Sequence, residues 1–382
     1  MRAHRICRAL VPAVVIAGAV LVAGQGTGAL AASSTAAARW RVVATRSENL
    51  TSLVALSARA QWVFGGQELP NKPTPPVVLR HSGSRWIQAA LPAPADGTVV
   101  CAGATSAADV WAFDGQQFGP GYAPGAAALQ LRSGRWVVRH SFGDFFLTGC
   151  NVVSATDVWA FGSTGAGPAI GTWHLHGSTW THLTSYPAEF LGQASVVSRN
   201  NIWATGWDGI EGVLAHWDGT TWKADPSVLK ALPRPSGTVE VQVGSVTAIS
   251  SSDLWVEALV GREGAGGVWH YGPVAEHWNG ASWKRAAASS FGYYLPVAVP
   301  DGQGGWWSAG YPATGSPRSM TYLLHGTRGH WVKVGLPRAR KGYDLEVREI
   351  AAVPGGRTAY AAADEVSAAT GHSFGVILKV SY

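Results

Sequence analysis

The sequence is poor in charge and in long apolar runs. Only 14% of its 382 residues are charged, whereas 48 are glycine, a balance that favours short strands and tight turns over helices. After residue 23 no apolar stretch approaches the length of a membrane span, so we expect none. With 29 basic and 23 acidic residues, the chain lacks the dense basic stripe typical of nucleic-acid binders. We therefore expect no nucleic-acid partner.

The first residues have the pattern of a secretory signal. Arg2, Arg5 and Arg8 precede an apolar run over residues 9–23, and Ala29-Leu30-Ala31 is an A-x-A cleavage site. We expect residues 1–31 to be removed, residues 32–38 to form a flexible linker, and the product to be secreted and extracellular. No cysteine follows the apolar run at the cleavage point and no Arg-Arg pair is present, so neither a lipid anchor nor twin-arginine export is indicated.

Cysteine is scarce as well. Cys7 leaves with the signal, so Cys101 and Cys150 remain as a pair in an oxidising compartment. Cys101 lies ten residues before Trp111 and Cys150 nine before Trp159. Because side chains alternate between the two faces of a strand, this offset lets the two thiols point toward each other from adjacent sheets. We predict a disulfide over the alternative of two free buried thiols.

What the chain has in abundance is a repeat. A short motif ending in tryptophan recurs seven times at intervals of roughly 44 to 53 residues, a period typical of a repeated four-stranded sheet. A second tryptophan follows near a glycine turn in most copies. The first position holds Trp62, Trp111, Trp159, Trp203, Trp255, Trp307 and Tyr360; the second holds Trp86, Trp136, Trp180, Trp222, Trp283 and Trp331.

The two ends of the chain complement each other. Trp40 lies where the last tryptophan of a preceding repeat belongs, whereas the final repeat stops after the strand that contains Ile377 and Lys379. An open array would leave two unpaired edges. We therefore predict an all-β, seven-bladed β-propeller over residues 39–382. Its blades are four-stranded and antiparallel, and the N- and C-terminal strands close the ring.

The recurring polar residues have structural interpretations. The tryptophans are expected to pack between blades. Asp109, Asp157, Asn201 and Asp253, two residues before the first tryptophan, are expected to form Asx turns that close the first hairpin. His174, His216 and His277 lie in different blades, so they are expected to be structural histidines and not ligands of one metal. We expect no metal and no cofactor.

With these repeats the chain resembles kelch and galactose-oxidase-type propellers in repeat length. It departs from the kelch pattern because a double glycine follows the first tryptophan strand only at Gly65-Gly66. The copper oxidase site of galactose oxidase uses a cysteine-modified tyrosine. Since the two cysteines here are explained by each other, that chemistry is not expected.

One sequence matches a catalytic motif. Gly371-His-Ser373-Phe-Gly375 fits the G-x-S-x-G nucleophile elbow, which requires a strand, a sharp turn and a helix. Here it lies between two predicted strands, so we interpret it as a chance match.

Aromatic and acidic residues concentrate in one class of loop. Loops that enter the inner strands and loops that join second to third strands emerge on the same face of a propeller, because strands within a blade alternate in direction. Such side chains stack on sugar rings or peptide side chains, or they cap the blade cores. The predicted ligand-binding residues are Phe145, Tyr186, Glu189, Trp207, Asp208, Glu211, Trp269, Tyr271, Tyr293, Tyr311 and Tyr343.

Three functions fit this architecture. The first is a secreted non-enzymatic binding module, a monomer, that holds a glycan or an extracellular protein on the loop-rich face. The second is a polysaccharide lyase or glycosidase that uses Asp and Glu on the same face, and the third is a structural or interaction protein. The fold does not choose among them. We favour binding because the recurring signal is structural and the acidic residues share no pattern.

Overall fold

The protein is almost entirely β-strand in a computed structural model. The structure describes residues 38–67, 75–83, 85–92, 97–115, 125–143, 145–163, 170–183, 188, 190–234, 239–267, 269–285, 293–312, 320, 322–327 and 330–382. Its strands form seven four-stranded antiparallel sheets, so the predicted fold class is confirmed. Each sheet is one blade, and the blades are numbered in chain order from the first complete set of four strands.

The strands of the first four blades follow β1 (Arg41–Thr45), which belongs to the last blade. Blade 1 contains β2 (Asn49–Ser57), β3 (Ala60–Gly66), β4 (Pro76–Ser82) and β5 (Arg85–Gln88). Blade 2 contains β6 (Thr98–Ser106), β7 (Asp109–Gly115), β8 (Ala126–Arg132) and β9 (Arg135–Gly143). Blade 3 contains β10 (Phe146–Ser154), β11 (Asp157–Ser163), β12 (Ile170–His176) and β13 (Thr179–Leu183). Blade 4 contains β14 (Phe190–Ser198), β15 (Asn201–Trp207), β16 (Gly212–Trp217) and β17 (Trp222–Ala224).

A short helix, α1 (Ser227–Ala231), precedes the last three blades and begins directly after Asp225 and Pro226. Blade 5 contains β18 (Val239–Ser250), β19 (Asp253–Glu263), β20 (Trp269–Trp278) and β21 (Trp283–Arg285). Blade 6 contains β22 (Tyr293–Pro300), β23 (Gly305–Pro312), β24 (Tyr322–Thr327) and β25 (His330–Gly335). Blade 7 contains β26 (Tyr343–Ala352), β27 (Thr358–Ser367), β28 (Ser373–Ser381) and β1. No helix among the described residues is long and apolar enough to cross a membrane.

The ring closes through its two ends, as predicted. Strand β1 pairs antiparallel with β28, with Arg41 opposite Lys379 and Ala44 opposite Ile377. Trp40, just before β1, is 1% exposed, and its ring centroid lies 5.2 Å from that of Trp307 in blade 6. The N-terminal strand therefore completes both a sheet and a core.

The core lies between blades, where the recurring tryptophans meet. The outer-strand tryptophan of one blade contacts the first tryptophan of the preceding blade edge to face, a geometry that aromatic quadrupoles favour. The ring centroids of these pairs lie 5.2 to 6.2 Å apart, at Trp307–Trp40, Trp62–Trp136, Trp111–Trp180 and Trp159–Trp222. The packing role predicted for these side chains is confirmed.

Adjacent inner strands are linked at equivalent positions by different chemistry. Cys101 and Cys150 form the predicted disulfide between blades 2 and 3, with their Cα atoms 6.0 Å apart. At the same register between blades 4 and 5, Gln193 accepts a hydrogen bond at Oε1 from the Val246 amide at 3.0 Å. Between blades 7 and 1, Glu349 accepts one at Oε2 from the Leu53 amide at 2.7 Å. Among the described residues, one position of the repeat therefore links neighbouring blades at three seams.

The Asx-turn prediction is wrong, because serine makes the turn. Within these turns, a serine Oγ accepts a hydrogen bond from the amide two residues further along the chain, as at Ser57, Ser106, Ser154 and Ser250. The acidic and amide side chains form hydrogen bonds to histidines on the third strand instead. These side-chain oxygens lie 2.8 to 3.0 Å from a histidine Nε2 in four pairs: Asp157 and His174, Asn201 and His216, Asp253 and His277, and Asp301 and His325. Asp109, whose blade has no such histidine, accepts from Gln130 Nε2 at 2.6 Å.

Each of these histidines also stacks on the first tryptophan of its blade. Register places a cationic or polar residue directly opposite that aromatic in all seven blades: Trp62 and Arg80, Trp111 and Gln130, Trp159 and His174, Trp203 and His216, Trp255 and His277, Trp307 and His325, and Tyr360 and Lys379. Ring centroids of the Trp–His pairs lie 3.7 to 4.3 Å apart. The histidines are structural, as predicted.

Candidate ligand-binding face

We call the side of the ring that carries the second-to-third-strand loops and the blade-to-blade connections the loop face, and the opposite side the turn face. The turn face carries compact hairpins such as residues 218–221, where Asp218 accepts amide hydrogen bonds from Thr220 and Thr221 at 3.0 Å each. On the loop face, blade 5 has the longest second strand, β19 with 11 residues, and blade 4 lies next to it.

Blade 4 presents a rigid four-residue loop. Asp208 accepts hydrogen bonds at Oδ1 from the amides of Ile210 and Glu211, both at 2.8 Å, and its own amide donates to the Glu211 carbonyl at 3.2 Å. Ile210 at the tip is 81% exposed. Glu211 forms an ion pair with Arg234, at 3.0 Å between Oε2 and Nη2, which fastens the loop to the segment that leads into blade 5.

Blade 5 rises above the disc because its first three strands are long. Strands β19 and β20 pair as far as Glu263 and Trp269, with a 3₁₀ turn at Ala265–Gly267. Trp269 and Tyr271 stack with ring centroids 6.1 Å apart and planes at 24°. A Cβ on Gly261 would lie 2.5 Å from Cε1 of Tyr271, so glycine is required beneath the ring. The strand extension thus presents an aromatic pair.

A polar contact holds that pair from below. The Tyr271 hydroxyl donates to Oε2 of Glu240 at 2.8 Å, and Gln242 Nε2 donates to Oε1 of the same carboxylate at 2.6 Å. Glu240 and Gln242 are half-buried on β18, the inner strand of blade 5. The aromatic surface is therefore fixed before any ligand arrives.

Blades 4 and 5 form a continuous surface at this point. Trp207, half-buried at the end of β15, pairs across the ladder with Gly212. A Cβ on Gly212 would lie 2.3 Å from the amide nitrogen of Val243, so β16 lies directly against β18. Trp207, Asp208, Glu211, Trp269 and Tyr271 therefore belong to the loop face of two adjacent blades.

The other predicted site residues are distributed differently. Tyr343 lies in blade 7, half-buried, with its ring centroid 5.8 Å from that of Phe374. Tyr186 and Glu189 lie outside the described residues. Tyr293 and Tyr311 lie in β22 and β23, but their side chains are outside the described part of the chain.

Phe145 needs a correction, because it is 1% exposed and cannot contact a ligand on the surface. Its ring packs on Phe142, with centroids 5.5 Å apart, and fills the space above two glycines. A Cβ on Gly162 or Gly171 would lie 2.8 or 3.1 Å from that ring. Because glycine has no side chain, these two positions leave room in the core for the phenylalanine ring.

Sequence reasoning missed four contributors, Ile210, Arg234, Glu240 and Gln242. Ile210 carried a signal, since an aliphatic residue between Gly209 and Glu211 is unusual in a polar turn. Glu240 and Gln242 alternate with the buried Val241 and Val243, which places them on one side of a strand. Among the described residues, no group of three or more His, Cys, Asp or Glu is placed to hold a metal ion.

Comparison with known proteins shows the fold. No protein-family model matches the chain, and no curated protein matches it significantly. The structure is similar to that of YCF48 bound to D1 peptide, with 11% identity, TM-score 0.56, and 92% of this chain and 99% of that chain covered. It is also similar to Chaetomium thermophilum Sqt1 bound to the N-terminus of the ribosomal protein L10, with 7% identity, TM-score 0.50, and 87% and 97% covered. At these identities the likeness concerns the fold alone.

Proposed function

We propose that this protein is a secreted, non-enzymatic binding module whose ligand lies on the loop face of blades 4 and 5. The observation that carries the proposal is the stacked pair Trp269 and Tyr271, fixed by Glu240 on blade 5, together with the exposed tip at Ile210 on the adjacent blade 4. Rigid aromatic surfaces lose little conformational entropy when they bind, which is why they dominate binding sites. The pair is preorganised for a ligand.

The carboxylates of this face favour binding over catalysis. Asp208 holds its own loop, Glu211 pairs with Arg234, and Glu240 holds Tyr271. A lyase or glycosidase needs acids that act on the substrate as proton donor, base or nucleophile. These three acids fix the surface, and the exposed Glu263 opposite Trp269 would give a glycosidase one acid where it needs two.

Two ligand classes fit. An extracellular protein segment is favoured by Ile210, which is 81% exposed and offers an aliphatic contact next to the Arg234–Glu211 pair. The propellers YCF48 and Sqt1, which share this fold, have been solved with a peptide and a protein N-terminus, respectively. A glycan is favoured by the aromatic pair with a carboxylate and an amide at its edge. The protein segment uses more of the observed surface.

Secretion and a monomeric state belong to the same proposal. The leader over residues 1–31 and the disulfide Cys101–Cys150 both fit an oxidising extracellular compartment. The mature protein should be recovered from the medium of its host, starting near residue 32. Light scattering should give the mass of one chain.

The test begins with a pull-down of extracellular proteins and a glycan-array screen, both with the mature protein. The ligand found is then measured against Trp269→Ala and Trp207→Ala. Loss of stacking costs about 1 kcal/mol or more per ring, so each variant should bind at least roughly fivefold more weakly with a nearly unchanged melting temperature.

The matched control is Trp278→Ala, at the opposite end of β20 and equally half-buried. Unchanged binding by both loop-face variants, together with weaker binding by Trp278→Ala, would move the site to the turn face. If Trp207→Ala lowers stability by several kcal/mol, Trp207 is a core residue and leaves the site.

A further inference from the structure

Charge is segregated radially in this ring. In the first and second strands of the blades, the charged residues are Asp109, Asp114, Asp157, Glu240, Asp253, Glu257, Glu263, Asp344, Glu346, Glu349, Asp364 and Glu365, with only Arg262 and Arg348 of opposite sign. In the third and fourth strands they are Arg41, Arg80, Arg85, Arg132, Arg135, Arg139, Lys223, Lys284, Arg285, Lys333 and Lys379, with only Glu276 of opposite sign. The near balance of the whole sequence conceals a basic perimeter.

The perimeter is most basic over three consecutive blades. In blades 7, 1 and 2 the residue before the outermost tryptophan is arginine, at Arg39, Arg85 and Arg135. The equivalent residue is Thr179, Thr221 and Ser282 in blades 3, 4 and 5, and His330 in blade 6. A row of arginines at one repeat position therefore follows the rim of blades 7, 1 and 2, which we call the basic arc.

The guanidinium groups of the arc face solvent. Arg39, Arg85 and Arg135 are exposed, as are Arg41 and Arg132 beside them. Among the described residues, none of these five takes part in an ion pair, whereas Lys223 and Arg285 on other blades pair with Asp218 and Glu276. Exposed arginines remain charged at every physiological pH and match carboxylate, sulfate or phosphate with two parallel hydrogen bonds.

Apolar side chains accompany the arginines on the same strands. Val42 and Val43 in β1, Ile87 in β5, and Val137 and Val138 in β9 are 37% to 53% exposed. Among the described residues, the outer strands of blades 3, 4 and 5 have no large apolar side chain of comparable exposure. The arc therefore offers alternating cationic and apolar contacts.

A cleft of about 260 Å³ lies at one end of the arc, at the seam between blades 2 and 3 on the turn face. Arg132 and Arg139 line it from blade 2, with Asp109 and Gln130 at its inner side and Thr156 and Gly177 opposite. The Asp109 carboxylate already accepts hydrogen bonds from Gln130 and from the Thr105 hydroxyl, so an anionic ligand would meet the guanidinium groups of Arg132 and Arg139. The cleft can take one anionic group of a ligand that continues along the rim.

Protection of the outer strand edges does not explain this pattern. Charged side chains on edge strands, lysine especially, prevent sheet-to-sheet aggregation, and Lys223, Lys284 and Lys333 on blades 4, 5 and 6 fit that role. In a chain with 23 acidic residues, the seven outermost strands contain none. Edge protection accounts for basic residues around the whole ring, but it does not require arginine at the same repeat position in three consecutive blades.

We propose that the basic arc binds an acidic extracellular polysaccharide that wraps around the rim of blades 7, 1 and 2. The rim of a ring is convex, so a flat membrane would contact little more than one blade at a time, whereas a flexible chain follows three. The exposed valines and isoleucine contact the apolar faces of the sugar rings between charged groups. This surface is separate from the loop face of blades 4 and 5.

The test measures binding of the mature protein to polygalacturonate and to dextran sulfate, by titration at about 50 mM and about 500 mM NaCl. The key variant is Arg39→Thr/Arg85→Thr/Arg135→Thr, which installs the residue that blades 3 and 4 already have at this position. We expect at least a tenfold loss of affinity at low salt for the triple variant. The loss should shrink at high salt, where screening acts within a few ångströms.

The matched control is Lys284→Thr, an exposed cation on the outer strand of blade 5, which should bind like the parent. Thermal unfolding checks that the triple variant folds; if it does not, Arg85→Thr and Arg135→Thr are measured separately. Absence of binding to either polysaccharide overturns the proposal, as does an equal loss in the control. Tighter binding to phosphatidylglycerol vesicles or to an oligothymidylate would replace it with a membrane or nucleic-acid surface.

Discussion

Two seams of the ring differ in the chemistry that links their neighbouring blades. Between blades 2 and 3 the contact is covalent and apolar: the disulfide Cys101–Cys150 lies in a core with Phe113, Phe142 and Phe145. Between blades 7 and 1 the apolar core that includes Leu50 and Ile377 also contains two buried carboxyl groups. There Glu349 and Asp364, 0% and 3% exposed, accept amide hydrogen bonds from the first strand of blade 1.

The difference follows the path of the chain. Blades 2 and 3 are consecutive, so their seam forms locally, whereas blades 7 and 1 meet only after the whole chain has folded. A buried carboxylate that accepts from a specific amide contributes orientation, because an unpaired buried charge is costly in any other register. We infer that the closing seam specifies alignment while the seam of blades 2 and 3 supplies strength.

The most severe way to break this comparison is to remove the strand that closes the ring. Deleting residues 32–45 takes away β1 and Trp40, which leaves β28 with an open edge and the core beside Trp307 incomplete. We expect no cooperative unfolding transition in urea or on heating. A truncated protein as stable as the parent would show that the seven sheets hold together without closure.

Removing the covalent link tests the other seam. Cys101→Ala/Cys150→Ala should lower the free energy of unfolding by up to about 4 kcal/mol, the chain-entropy value for a loop of 49 residues. Urea unfolding gives the difference, and thiol titration of the unfolded, unreduced parent should detect no free thiol. A loss below about 1 kcal/mol would mean that the apolar core, and not the bond, stabilises this seam.

Lower pH should stabilise the seam between blades 7 and 1. Burial raises the pKa of Asp364 to about 6, against the opposing effects of Arg348 and the Leu50 amide. Because Asp364 then holds its proton more tightly in the folded state than in the unfolded state, its contribution to the free energy of unfolding should rise as pH falls from about 7 to about 4, by on the order of 2 kcal/mol. The measurement is urea unfolding of parent and Asp364→Asn across this range.

The Asp364→Asn variant also controls for the other titrating groups, because it differs from the parent only at residue 364. Burial also raises the pKa of Glu257 between blades 5 and 6, so only the difference between parent and variant reports on Asp364. A parent and a variant with parallel profiles would show that Asp364 titrates normally in the fold.

The smallest effect should come from Glu349→Gln. Gln193 makes the equivalent bond between blades 4 and 5, so an amide at position 349 should still accept from the Leu53 amide. We expect a change below about 1 kcal/mol, and about 1–3 kcal/mol for Glu349→Ala, which leaves that amide unpaired. Equal losses for both variants in urea unfolding would show that the charge, and not the hydrogen bond, matters here.

Sequence reasoning reached the ring, its closure and the disulfide because each depends on repeat spacing. The one-residue offset of Cys101 and Cys150 fixes strand parity, and the surplus strand at Trp40 has only one vacant place. The turn predicted at Asp157 was wrong because Ser154, three residues earlier, is also a turn former and makes the turn instead. Only the cross-strand register shows that His174 lies diagonal to Asp157.

The candidate site was less accessible to the sequence. Trp269 and Tyr271 were expected on the loop face, but their support by Glu240 depends on how far β18 and β20 extend, and no motif encodes that length. In the sequence, Phe145 does not differ from the other aromatic residues of these loops, and its burial depends on two glycines in other strands. The basic perimeter could not be predicted from the sequence either. Whether a charged residue lies near the axis or at the rim depends on which strand of the blade carries it.

The link between Cys101 and Cys150 also governs what a protease can do to this molecule. Any single cut between these residues leaves two pieces that remain bonded to each other. The N-terminal piece is further held because β1 lies within the last sheet, beside β28. Cleavage between the two cysteines therefore does not separate the pieces. We expect a protein cleaved there to migrate as one species in electrophoresis until it is reduced and denatured.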